Sequence, residues 1–235
     1  MAETGNENRR YGAWKKRMKG ITGGLVNAAV MGLLLFVPAG TLDWPVAWVL
    51  LAFTVISFII NSLLVSPDLI DERIHRHANA KPFDRYLVVA IVLAGFAAII
   101  VSGFDFRYGW TGPIPPAVQV IGFVVVVLSG LILIWATTSN PYFSAVIRIQ
   151  DDRGHSVVST GPYQYVRHPG YAGWCLYMLF LPLMLGSLVA LIPGAVAAGL
   201  DIVRTYLEDR ILMAELTGYR EYAVRVRYRL IPKVW

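Results

Sequence analysis

Charge is what this chain lacks. Asp, Glu, Lys and Arg are absent from residues 20–42, 44–67, 86–104, 108–147 and 169–200, which together make up more than half of its 235 residues. That patterning excludes an ordinary soluble domain, which interrupts its apolar runs far sooner; crossing about 30 Å of hydrocarbon takes roughly 20 apolar residues as helix. A ten-residue apolar/polar alternation is also missing, which excludes a transmembrane barrel and leaves α-helices to satisfy the backbone within lipid. The single cysteine, Cys175, excludes an internal disulfide and, set in an apolar run, reads as a small buried residue. There is no glycine-rich dinucleotide fingerprint, and no internal repeat.

What is present is a series of spans, expected at 21–38, 44–65, 86–103 and 117–136. The 32-residue uncharged run 169–200 would form a helix of about 48 Å, too long for one crossing. A turn at Gly186-Ser187 divides it into crossings at 172–185 and 188–203, kinked or opened by Pro182 and Pro193. The fold class is therefore all-α: a polytopic transmembrane bundle of about six spans, with a C-terminal hairpin and cytoplasmic helices closing a pocket.

The basic residues test this count. With six spans, every Lys and Arg except Arg107 falls in segments 1–20, 66–85, 137–171 and 204–235, all on one side. Basic residues near span ends accumulate in the cytoplasm, so both termini and the polar segments are expected there. The formal charge of +6 is then an orientation signal with some attraction to anionic headgroups, not a nucleic-acid footprint. Residues 1–20, with Arg9, Arg10, Lys15, Lys16, Arg17 and Lys19 beside Tyr11 and Trp14, read as a basic interfacial arm. A cleavable leader ending near Pro38-Ala39-Gly40 is the rival reading, opposed by the length of its apolar run.

Residues 21–136 form a four-span scaffold, in which Asn27 and Asn61 are candidates for interhelical hydrogen bonds. The chemistry lies in 137–235. Phe143 to Ile149 reads as a short amphipathic piece, Asp151-Asp152-Arg153-Gly154 as a turn, and His155-Ser156-Val157-Val158 as extended chain. Pro162 and Pro169 push Gly161 and His168 away from helical geometry. His168 has company in Tyr163, Tyr165, Arg167 and Tyr171, although a helix cap or headgroup contact explains a lone histidine and an aromatic belt explains the tyrosines. From Asp201 an amphipathic helix leaves the membrane with Arg204, Glu208 and Glu215 near one face. Arg204 and Glu208 are one turn apart and can also be an ordinary ion pair. After Thr217-Gly218 a second short helix carries Tyr219, Tyr222 and Arg225, followed by Arg227 and Arg229, which a lipid-bound tail would also explain.

Several of these segments, taken in order, resemble one family. Gly161-Pro162-Tyr163, Val166-Arg167-His168-Pro169-Gly170-Tyr171-Ala172-Gly173, Arg204 followed by Glu208, and Gly218-Tyr219-Arg220-Glu221-Tyr222 with Arg225 are similar to the isoprenylcysteine carboxyl methyltransferases, in the wider group that includes phospholipid N-methyltransferases. The resemblance spans about 140–232. It implies a membrane enzyme that binds S-adenosyl-L-methionine without a Rossmann domain. By position it implies a cofactor pocket of His155, Ser156, Val157, Val158, Tyr163, His168, Pro169, Gly170, Tyr171 and Glu208. Arg204 would face the methyl acceptor, with Tyr219, Tyr222 and Arg225 beside it. Arg148 stands where eukaryotic members tend to have Gln.

The expected reaction is methyl transfer to a carboxylate of a lipid-like or prenylated acceptor, with Arg204, Glu208 and His168 as the catalytic candidates and no metal. Amine methylation, for which His168 or Glu208 would be the base, is the alternative. An NADPH-dependent sterol-type reductase and a non-catalytic lipid-binding protein are the readings from other classes.

Overall fold

The computed structural model describes residues 2–74 and 80–235. Arg76, one of the basic residues counted above, lies outside the described residues, as does the side chain of Arg9. The described chain is helical and strand-free: α1 (Ala2–Ala39), α2 (Pro45–Leu64), α3 (Pro67–Ile74), α4 (Pro82–Tyr108), α5 (Pro116–Ser139), α6 (Pro169–Leu185), α7 (Leu191–Glu215) and α8 (Tyr219–Arg225).

Proline sets the helix starts. Helices α2 to α6 each begin on one, where the fixed φ suits the first turn and the missing N–H would have been unpaired anyway. Glycine sets two ends: Gly109 after α4 and Gly186 after α6 have φ of 65° and 84°, a left-handed conformation that L side chains rarely adopt.

Helices α1, α2, α4 and α5 are long and apolar enough to cross a membrane. Their large side chains are often exposed, Leu33, Val37, Leu93 and Val120 among them. The remaining apolar run doubles back at Gly186 as expected. Helix α6 has 17 residues, about 25 Å of rise, and α7 returns through an apolar stretch before turning polar at Asp201. Both prolines stand within unbroken helix. Pro182 sits in the last turn of α6, and Pro193 is the third residue of α7, where no intrahelical N–H bond is lost.

The hairpin is the centre of the molecule. Helix α6 packs on α5, and α7 packs on α4 and α6. Leu35, Leu50, Val126, Met178, Leu181, Met184 and Ala197 form the core between them. Gly122 of α5 lies on the α6 backbone so closely that an added Cβ would sit 2.8 Å from Met184 Cα and 2.9 Å from Leu183 C. At the hairpin's apex, the buried Asp105 carboxylate accepts from the Ser187 hydroxyl and, at 2.7 Å, from the Thr111 N–H. Asn61 of α2 donates to Thr137 of α5 at 2.9 Å, as expected, whereas Asn27 is exposed.

The basic segment is helical and continuous with the first span, with Lys16 paired to Asp68 of α3 at 2.9 Å. Two local expectations are corrected. Phe143 to Ile149 is not a helical piece but irregular chain. Its backbone bonds are taken by the α4 entrance, where Lys81 N–H donates to Ile147 O at 3.0 Å and Ile147 N–H to Asp84 at 2.8 Å. Gly161 is not extended: its φ is +59°, and it opens a 3-10 turn through Gln164.

Candidate functional site

The hairpin delivers the two polar segments, 140–168 and 201–229, to one end of the bundle, where they enclose a cavity of about 320 Å³. Val88, Ile91 and Val92 of α4, Leu133 of α5 and Trp174 of α6 supply an apolar wall. The polar wall contains His155, Ser156, Val157, Val158, Tyr163, His168, Gly170, Tyr171, Arg204, Glu208, Tyr219 and Tyr222. Of the expected site residues, Pro169 and Arg225 do not line it. Pro169 is buried as the first residue of α6, and Arg225 is exposed on α8.

The loop side is built on Asn140, which ends α5. Its amide donates to the Tyr163 hydroxyl at 3.2 Å, and its carbonyl oxygen accepts from the Tyr142 N–H at 2.8 Å. Tyr142 in turn lies against His155, with ring centroids 4.6 Å apart, and donates its hydroxyl to Gly154 O at 2.8 Å. His155 Nδ1 accepts from the Gln150 N–H at 3.3 Å. That bond needs an unprotonated Nδ1, and burial first, with Arg148 and Arg153 nearby, pushes the imidazole below its usual pKa against the opposing pull of Asp151.

The helix side is organised by a residue that sequence reasoning missed, Asp209. Its carboxylate is fully buried and receives Arg167 in a two-pronged pair, both bonds 2.8 Å, together with Arg229 at 2.8 Å, the Tyr219 hydroxyl at 3.0 Å and His168 Nε2 at 3.2 Å. The remaining Arg167 nitrogen donates to Val226 O and Arg227 O. The backbone N–H groups of Arg167 and His168 donate to Tyr228 O and Arg229 O, both at 2.9 Å. One carboxylate thus ties the start of α6 to α7, α8 and the tail. Burial, the largest influence, would alone raise its pKa, but the hydrogen bonds from His168, Arg167 and Arg229 outweigh that and hold it well below the usual carboxylate range.

Glu208, one position earlier, turns to the cavity and accepts the Tyr171 hydroxyl. Arg204 does not pair with Glu208. Its Nε and Nη2 donate to the buried Asp84 of α4 at 2.6 and 3.1 Å, and Nη2 also donates to Ala145 O at 3.0 Å. Its guanidinium stands 5.4 Å from the centre of the Tyr171 ring. Arg148 is likewise engaged, with Glu72 of α3 by 2.9 and 3.0 Å bonds from Nη2 and with Asp152 at 2.8 Å. Asp84 and Glu72 come from a half of the chain that reads as plain scaffold. Neither sits in a motif, and only tertiary structure pairs them with the arginines.

Chemically, the cavity combines an anchored carboxylate, a partly committed guanidinium, aromatic faces and an apolar flank. Among the described residues, no group of His, Cys, Asp and Glu is arranged to hold a metal ion.

Known proteins share this arrangement of helices. Residues 120–214 match the isoprenylcysteine carboxyl methyltransferase (ICMT) family. The matched stretch runs from α5 through the loop, the hairpin and α7 as far as Ala214. Curated relatives are similar over part of the chain. A probable protein-S-isoprenylcysteine O-methyltransferase of Oryza sativa subsp. indica is 26% identical over 112 residues, 46% of this chain and 59% of the relative. Protein-S-isoprenylcysteine O-methyltransferase B of Arabidopsis thaliana is 29% identical over 91 residues, 38% of this chain and 46% of the relative. The chain thus spans little more than half the length of the rice relative and under half of the Arabidopsis one. The solved eukaryotic intramembrane Ras methyltransferase ICMT superposes with a TM-score of 0.50 at 18% identity, covering 88% of this chain and 75% of that one. The membrane fold is ICMT-like, and the chain is an integral membrane protein by its helices and this likeness.

Proposed function

We propose that this chain is an S-adenosyl-L-methionine-dependent carboxyl O-methyltransferase acting on a lipid-like or prenylated acceptor, with both termini and the site on the cytoplasmic side. The observation that carries the reading is one cavity lined at once by the polar residues of both segments and by an apolar wall from α4, α5 and α6. Its volume is within the range of small-molecule sites, about 300–1,000 Å³.

The donor set fits the cofactor. A ligand with a cationic amine and sulfonium, a carboxylate and an adenine face meets the Glu208 carboxylate, polar loop donors at 155–158, and the faces of Tyr163 and Tyr171. S-adenosyl-L-methionine, when bound, supplies a methyl carbon activated by positive sulfur. The residues' work is to align and to exclude water. Tyr171 fixes the Glu208 carboxylate through its hydroxyl. His168 is fixed through Nε2 by Asp209 and Tyr219, at 3.2 and 3.3 Å, so it serves as a rigid wall. An acceptor carboxylate is ionised at pH 7 and needs orientation, not a base. Arg204 keeps Nη1 for that purpose, the guanidinium nitrogen without a hydrogen-bond partner among the described residues. The apolar flank of Val88, Ile91, Val92, Leu133 and Trp174 suits a hydrocarbon chain.

The reading is tested with purified protein, methyl-labelled S-adenosyl-L-methionine and an S-prenylated cysteine bearing a free carboxylate. The expected product carries the label as an alkali-labile methyl ester. Absence of transfer, or label appearing only in alkali-stable form on an amine, contradicts it.

A further inference from the structure

We infer that Arg73, on the short helix α3 and outside both the resembling segments and the family match, receives a carboxylate of one of the two reactants in the cavity.

Among the described residues, four arginines line the cavity: Arg73, Arg148, Arg167 and Arg204. Three of them spend their forks on protein carboxylates, Arg148 on Glu72 and Asp152, Arg167 on Asp209, and Arg204 on Asp84. Arg73 has no carboxylate partner among the described residues, and the neighbouring undescribed residues 75–79 contain no Asp or Glu. Its charge is therefore uncompensated at the edge of the cavity.

Its placement is specific. The guanidinium stands 5.4 Å from the centre of the Phe143 ring, a cation–π arrangement that holds the planar fork without consuming its N–H donors. The Phe143 ring in turn lies on the bare Cα of Gly170, close enough that an added Cβ would come within 2.5 Å of it. Arg73 thus reaches the start of α6, where the polar segment enters the hairpin, through a single aromatic ring.

The chemistry asks for such a group. Under the proposed function, on which this inference rests, both reactants bring a carboxylate: the amino-acid end of S-adenosyl-L-methionine and the acceptor's own. Two carboxylates entering a cavity that already presents the Glu208 carboxylate each need a donor contact, and Arg204 offers one remaining nitrogen. A guanidinium with its whole fork available matches a carboxylate in two parallel bonds, which an ammonium cannot reproduce.

The test compares wild type, Arg73→Gln and Arg73→Lys. Two discrimination ratios are read: the dissociation constants of S-adenosyl-L-methionine against its decarboxylated analogue, and the inhibition constants of an S-prenylated cysteine against its carboxamide. In wild type the carboxylate form is favoured in each pair. Arg73→Gln is expected to lose roughly ten- to hundred-fold of one ratio, with the loss of a charge-assisted pair, and Arg73→Lys to recover part of it. The ratio that collapses names the source of the carboxylate. Arg73 is exposed, so the variants keep the wild-type melting temperature, and a merely structural role would not move a ratio. Both ratios unchanged in Arg73→Gln, in an enzyme that still binds and transfers, overturns this inference alone. A wild type that binds no S-adenosyl-L-methionine overturns the proposed function and this inference together.

Discussion

Removing the charge at Asp209 is the most severe single perturbation that the site offers. In Asp209→Asn the shape is kept, but one oxygen becomes an NH2 donor facing guanidinium donors, and the charge that compensates Arg167 and Arg229 disappears. The side chains of Asp209, Arg167 and His168 are 0%, 4% and 5% exposed, so water cannot take over. Breaking a buried pair by deleting one partner costs about 3–5 kcal/mol. For a chain of this size each kcal/mol shifts melting by roughly 2–4 °C, giving about 6–20 °C. Lys81→Ala is the control. Its pair with Glu215 is 31% and 43% exposed, the class worth at most about 1 kcal/mol. Both are read by thermal unfolding in detergent at pH 7. Because the folded-state pKa of Asp209 is depressed, its stabilisation is fully present above the unfolded value near pH 4 and is lost as pH falls toward the folded value. The wild type therefore loses stability below about pH 4 more steeply than Asp209→Asn. A shift for Asp209→Asn no larger than that of Lys81→Ala refutes the claim that this carboxylate holds the site together.

Other perturbations test separate contacts. Tyr171→Phe deletes the hydroxyl that Glu208 accepts; hydrogen bonds to charged groups are worth about 1.5–3 kcal/mol, so cofactor binding weakens at least about tenfold, measured by calorimetry. Asp84→Ala strands Arg204 and destabilises by about 3 kcal/mol, while adding Arg204→Ala costs less than the sum of the single changes, measured by a double-mutant thermal cycle. Gly122→Leu collides with the α6 backbone and reduces stability by more than about 2 kcal/mol, whereas Gly199→Ala, with open space around it, leaves melting unchanged. His155 is held neutral in the fold, so its contribution is complete above about pH 6.5 and declines as pH falls through its lowered value. His155→Phe removes that dependence from a thermal-unfolding profile taken between about pH 5 and 8.

The membrane architecture was legible because lipid permits few solutions: uncharged runs of sufficient length and the placement of basic residues in the connecting segments both point to a hairpin at Gly186. The site was legible in outline for a similar reason. His155, Tyr163, His168, Tyr171, Glu208, Tyr219 and Tyr222 occur in compact polar segments between spans, and the structure brings them to one cavity. What escaped were the partners. Asp209 reads as one more charge on an amphipathic helix, and Asp84 and Glu72 as solvated residues near span ends. Their burial follows from contacts across 42, 120 and 76 residues of sequence, which periodicity does not encode. The i,i+4 spacing of Arg204 and Glu208 was legible too, but α4 offers Arg204 a better fork partner, and a single acid on a neighbouring helix outcompetes local spacing.

The most direct test of the account is a calorimetric titration of the purified chain in detergent with S-adenosyl-L-methionine, repeated with Glu208→Ala. Saturable one-site binding by the wild type, lost or weakened at least about tenfold in a Glu208→Ala protein that melts normally, is the predicted result. No heat of binding in the wild type, or the same affinity in both proteins, contradicts it.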